Sequence, residues 1–109
     1  MTAPKNTAQE AKPRASLLPM DLLLKYLVPA YEEGVVKYER ESWREGFVTS
    51  VMVDAALRHI EAFYWGKEDI DPESSTHKHH LSGAIFSLLS ILHSLEKYPH
   101  LDDRYKETK

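Results

Sequence analysis

The stretches SVMVDAALRHIEAFYW (residues 50–65) and THKHHLSGAIFSLLSILHSLEKY (residues 76–98) decide the fold. In the first, Met52, Ala56, His59 and Phe63 recur at spacings of three and four and share one helical face, while Asp54, Arg58 and Glu61 share another. Thr49 or Ser50 suits the N-cap, and Gly66 suits the stop. In the second stretch, Leu81, Ala84, Ile85, Leu88, Leu89, Leu92 and Leu95 form the expected core stripe of a helix from about Thr76 to Tyr98, which Pro99 ends. On the same helix Gly83, Ser87, Ser90 and Ser94 fall on one line. Such small residues let another backbone approach closely, either a helix of the same chain or one of a second copy.

Upstream, the segment from about Pro19 to Arg40 places Leu24, Leu27, Tyr31, Val35 and Tyr38 on one apolar stripe. Pro29 interrupts it, removing a backbone donor and disfavouring helical geometry at Val28, so a kink is expected there. No alternating run is long enough to argue for a strand. The expected architecture is all-α: a small bundle of three main helices, the first kinked, completed by oligomerisation into a homodimer or homotetramer. Residues 1–15 hold two prolines and no large apolar side chain after Met1, which predicts a tail, and residues 99–109 read as a C-terminal tail. The helical domain then spans 16–98.

Composition narrows the function. In 109 residues there are 14 Lys+Arg against 17 Asp+Glu, a formal net charge of −3, so bulk positive charge does not suit the chain to nucleic acid, and no nucleic-acid partner is expected. The absence of cysteine excludes disulfides, thiolate zinc sites and cysteine nucleophiles. No apolar stretch is long enough for a bilayer, so no membrane association is expected. Phosphate-loop, dinucleotide, nucleophile-elbow and His-Glu-x-x-His motifs are all missing.

Chemistry concentrates between the second and third helices. Glu61, Glu68, Asp69, Asp71 and Glu73 lie close in sequence to His59, His77, His79 and His80. Oxygen ligands suit Mg²⁺ or Mn²⁺, and imidazoles shift the preference toward Mn²⁺, Co²⁺ or Zn²⁺. The ordinary alternatives are a proline-initiated helix start at Asp71-Pro72-Glu73, a surface ion-pair ladder through Arg58, and a core histidine at His59. Tyr38 and Trp43 lie beside Lys37 and Arg44, where aromatic rings could stack on a base.

The order Tyr31-x-x-Gly34-x-x-Lys37-Tyr38, Trp43, Leu57-Arg58-His59-x-x-Ala62, Gly66-x-Glu68-x-x-Asp71-x-Glu73-Ser74 and His80-Leu81 resembles the phage and bacterial dATP/dGTP diphosphohydrolase N-terminal-domain family. That family is similar to the MazG-type all-α nucleotide pyrophosphohydrolases. The resemblance implies a metal-dependent hydrolase that cleaves purine deoxynucleoside triphosphates to monophosphate and pyrophosphate in the cytoplasm, that of the host if the chain is phage-encoded. It implies Glu61, Glu68, Asp71, Glu73 and His80 as ligands of Mg²⁺ or Mn²⁺, with Glu61, His59 and His80 as catalytic groups. Lys37, Arg58 and Lys67 are then candidates for phosphate, and Tyr38 or Trp43 for the base. Two departures keep alternatives open. The acid-rich run of MazG-type proteins falls near Arg58 to Glu61, where Glu61 is the one acid, and Gly83 stands where the family more often has a second histidine. The alternatives are a catalytically inactive nucleotide-binding protein that sequesters its ligand, and a helical interaction protein without one.

Overall fold

The computed structural model describes residues 12–37 and 39–107; most of the expected N-terminal tail, and Tyr38, lie outside them. Three helices form the frame, and no strand occurs among the described residues. Helix α1 is built from Met20–Leu22, a π-helical stretch Leu23–Leu27 and Val28–Lys37. The irregularity expected at Pro29 is thus a wider turn placed just ahead of it. Proline has no N–H to give to the preceding turn, and the amide of Val28 reaches back to the Leu23 carbonyl. Helix α2 is Thr49–Tyr64 and helix α3 is His80–Lys97.

Helices α2 and α3 pack face to face. The inward side of α2 is the one expected: Met52 and Ala56 are buried, and His59 and Phe63 are half-buried. The inward side of α3 is not. Ser82, Gly83, Ala84, Ser87, Ser90 and Ser94 are buried, whereas Leu81, Ile85, Leu88, Leu89 and Leu92 are exposed. The small-residue line is therefore the seam with α2 of the same chain, and the leucine stripe is its outer face. Serine and glycine bring the two backbones close, and a leucine there would hold them apart. A similar shift affects α1, where Ala30 and Glu33 are buried while Leu24 and Val35 are exposed.

The third helix starts at His80 rather than near Thr76. The residues before it are held in a turn by an antiparallel bridge between Ile70 and His79 and by the Asp71 amide bonding the Lys78 carbonyl at 3.0 Å. Thr76 Oγ1 donates to the Pro29 carbonyl at 2.9 Å, which fastens this connection to α1. The start of α2 has no cap from its own N-cap residue, Val48. Asp103 supplies one: its carboxylate accepts from the Ser50 amide at 2.8 Å and from the Ser50 hydroxyl. The segment expected as a C-terminal tail thus makes a short helical turn, Pro99–Leu101, and reaches back onto α2.

Candidate functional site

His59 projects from α2 and His80 from the first position of α3, and their Nδ1 atoms lie 3.0 Å apart. Nε2 of His80 is 2.7 Å from Glu68 Oε1. An ionised carboxylate only accepts, so His80 donates from Nε2; in the neutral ring the lone pair is then at Nδ1, facing the Nδ1 donor of His59. This carboxylate–imidazole pair fixes the orientation of a ring that is 5% exposed. Asp71 joins the two histidines: one ligating atom from each of His59, Asp71 and His80 falls within 4.8 Å of the others.

Local sequence explains the placement. His59 follows Met52 and Ala56 on the inward face of α2, so its ring points at α3. There it meets Gly83, where a Cβ would lie 2.5 Å from His59 Nε2. The missing side chain at this position is what admits the His59 ring. Asp71 is set by its own turn, in which its Oδ1 accepts the Glu73 amide at 3.0 Å.

Behind the histidines lies a second set of charges. Lys78 Nζ bonds Glu33 Oε2 on α1 and lies 3.4 Å from Asp71 Oδ2. Glu33 is buried, and its Oε1 accepts no hydrogen bond among the described residues; Lys37 Nζ lies 3.8 Å from it. Burial, with Lys78 nearby, holds the pKa of His59 below the ordinary histidine value, so the ring keeps an accepting nitrogen at neutral pH. For Asp71, partial burial pushes the pKa up, but the Glu73 amide and the Lys78 ammonium outweigh it, and the net direction is down.

Of these groups His59, Glu33 and Lys78 line a cleft of about 860 Å³, a size suited to a small-molecule ligand, and His80, Asp71 and Glu68 lie behind that lining. Tyr31, Trp43 and Phe86 supply aromatic lining, with Tyr31 meeting Phe86 at 4.9 Å and Trp43 at 5.6 Å between ring centroids. Lys37, Arg40, Arg58 and Lys78 also line it, together with Glu32, Glu33, Glu39 and Glu41; Lys37 and Lys78 pair with Glu33 and Arg40 with Glu41. An apolar wall beside several cations suits an aromatic base carrying phosphate. Two imidazoles and a carboxylate fit a divalent ion such as Mn²⁺, and fit Mg²⁺ less well, because imidazole is a poorer partner for that harder ion.

The structure brings together four of the residues singled out from the sequence as catalytic or metal-binding: His59, Glu68, Asp71 and His80. It gives Glu68 to His80 as an orienting carboxylate. Glu61 is exposed on α2 and joins no ion pair among the described residues. It lies two residues from His59, which is about 200° around a helix. Glu73 is exposed, and its backbone amide serves Asp71. Lys67 is exposed at φ 55° in the turn after α2, outside the cleft lining. Lys37, Trp43 and Arg58 do line the cleft. Glu33, Lys78, Tyr31 and Phe86 were not expected in a site. The one sequence signal for Glu33 is its place three residues after Ala30, on the face α1 buries.

No helix among the described residues is long and apolar enough to cross a membrane. No curated protein and no solved structure matches the chain. The family model described as dATP/dGTP diphosphohydrolase, N-terminal, matches residues 2–104, nearly the whole length. The chain belongs to the dATP/dGTP diphosphohydrolase N-terminal family.

Proposed function

We propose that this protein is a metal-dependent nucleoside triphosphate pyrophosphohydrolase acting on purine deoxynucleotides. Water adds to the α-phosphorus, the bond from that phosphorus to the bridging oxygen breaks, and dGTP or dATP leaves as monophosphate and pyrophosphate. The observation that carries this reading is the His59–His80 pair with Asp71, joined through His59 to a cleft lined by aromatic rings and charged side chains. Family membership supports it.

His59, Asp71 and His80 would hold the divalent ion, Mn²⁺ or Mg²⁺, with Glu68 orienting His80. When bound, the ion supplies positive charge to the phosphates and acidifies water. The rest falls to the chain. Tyr31, Trp43 and Phe86 take the base. Lys37 and Arg58 meet phosphate oxygens at the cleft. Together they hold the reacting phosphorus next to the histidines, and this positioning removes much of the entropic cost of the reaction.

The same reading includes assembly. Leu81, Ile85, Leu88 and Leu92 recur at helical spacing on the outside of α3, with Leu88 50% exposed. Val53, Leu57, Ile60 and Tyr64 repeat the spacing on α2, also exposed. Apolar stripes of this length on a small chain are the mark of an interface, and a two-fold homodimer or a homotetramer would cover them.

The test is incubation with dGTP or dATP and Mn²⁺, followed by chromatography. Pyrophosphate and monophosphate in equal amounts support the reading. A thermal shift with nucleotide but no product would favour a sequestering protein instead.

A further inference from the structure

We infer that the site takes one divalent ion per chain and that the Lys78 ammonium fills the second cation position, between Glu33 and Asp71. The inference rests on the hydrolase reading above. Lys78 Nζ bonds Glu33 Oε2 and lies 3.4 Å from Asp71 Oδ2, with the three side chains 10%, 6% and 13% exposed. Two carboxylates buried together repel unless a cation stands between them. Here that cation belongs to the chain.

Its placement is built in. The Lys78 amide donates to Ser74 Oγ at 3.0 Å, and its carbonyl accepts the Asp71 amide at 3.0 Å. The backbone on both sides of the ammonium is therefore tied to the turn that carries Asp71. A second divalent ion bridging Glu33 and Asp71 would have to expel this side chain.

Charge balance points the same way. Glu33, Asp71 and Glu68 bring three negative charges to the cluster, and Lys78 returns one positive charge. The remaining two negatives match one divalent ion, held by the histidines and Asp71. Lys37 approaches Glu33 from the cleft side but is more than half exposed, where water screens it and a phosphate can claim it.

The experiment counts Mn²⁺ bound by the full chain without nucleotide, by electron paramagnetic resonance of the free ion and by calorimetry. Wild type is expected to bind one equivalent, Lys78→Met two, and Lys78→Arg, which keeps the charge, one. The double variant Glu33→Gln/Lys78→Met, which removes one charge of each sign, is expected to return to one and guards against misfolding of the single variant. Two equivalents in wild type, or in Lys78→Arg, overturn the inference, as does a folded Lys78→Met that still binds one. A wild type that hydrolyses dGTP and binds two ions leaves the hydrolase reading standing. One that binds none and yields no product overturns both.

Discussion

The His59 and His80 rings face each other through their Nδ1 atoms at 3.0 Å, with Gly83 directly under the His59 ring. A hydrogen bond between the two nitrogens has room for one proton, and a cation bound by both would displace it and sit to one side of the line that joins them. The site therefore depends on how closely α2 and α3 approach, which is set by the small residues of α3.

Gly83→Ala tests that dependence. Alanine favours a helix interior over glycine by about 1 kcal/mol. A Cβ 2.5 Å from His59 Nε2 is far inside contact distance, and overpacking of this kind costs roughly 1–3 kcal/mol. The clash should win: melting temperature is expected to fall, and Mn²⁺ affinity to fall further than stability alone would explain. A variant that melts higher and binds Mn²⁺ normally would mean that the ring moves aside freely.

Glu68 acts through His80. Removing the carboxylate in Glu68→Ala should weaken Mn²⁺ binding by about 10–100-fold, the usual cost of losing an orienting partner. Glu68→Gln retains an oxygen that accepts the Nε2 proton and should recover part of the loss. Calorimetric titration of the two variants gives the comparison, and equal affinities in both would deny the positioning role. At 47% exposure the Glu68 side chain can be replaced without disturbing the core.

How far these relationships were legible in the sequence differs by element. Helix α2 was readable because Met52, Ala56, His59 and Phe63 share one face and that face turns inward, although Val53, Leu57 and Ile60 form a second apolar stripe that stays exposed. Helix α3 misled because hydrophobic periodicity weights leucine over serine, yet the closest helix contact uses Ser87, Ser90 and Ser94 and leaves Leu88 and Leu92 outside. His59 was legible as a residue aimed inward. The Glu33–Lys78 contact joins positions 45 apart, and no local spacing announces it. Glu61 and His59 could be ranked by chemistry alone, but the turn of the helix separates them.

Leu88 therefore tests assembly more than folding. Leu88→Glu is expected to leave the helical circular-dichroism signal intact and to shift the mass measured by light scattering toward a monomer. A wild type that is already monomeric at micromolar concentration would contradict the interface.

Asp103 should matter for the start of α2. Its two bonds from Ser50 hold its carboxyl pKa below the ordinary value. A carboxylate depressed on folding stabilises the protein above its unfolded pKa, and that contribution fades as pH falls through the folded value. Wild type should thus lose part of its melting temperature on acidification below about pH 4, the ordinary aspartate range. Asp103→Ala should start lower at neutral pH and show a smaller acid-induced drop. Identical pH profiles would show that the bond does not persist in solution.

The most direct test of the central claim is pulsed electron paramagnetic resonance of Mn²⁺ bound to protein carrying ¹⁵N-labelled histidine. The account predicts coupling of the ion to two imidazole nitrogens, reduced to one in His59→Ala and in His80→Ala. An ion that binds the folded wild-type chain through oxygen alone, with no histidine coupling, would contradict it.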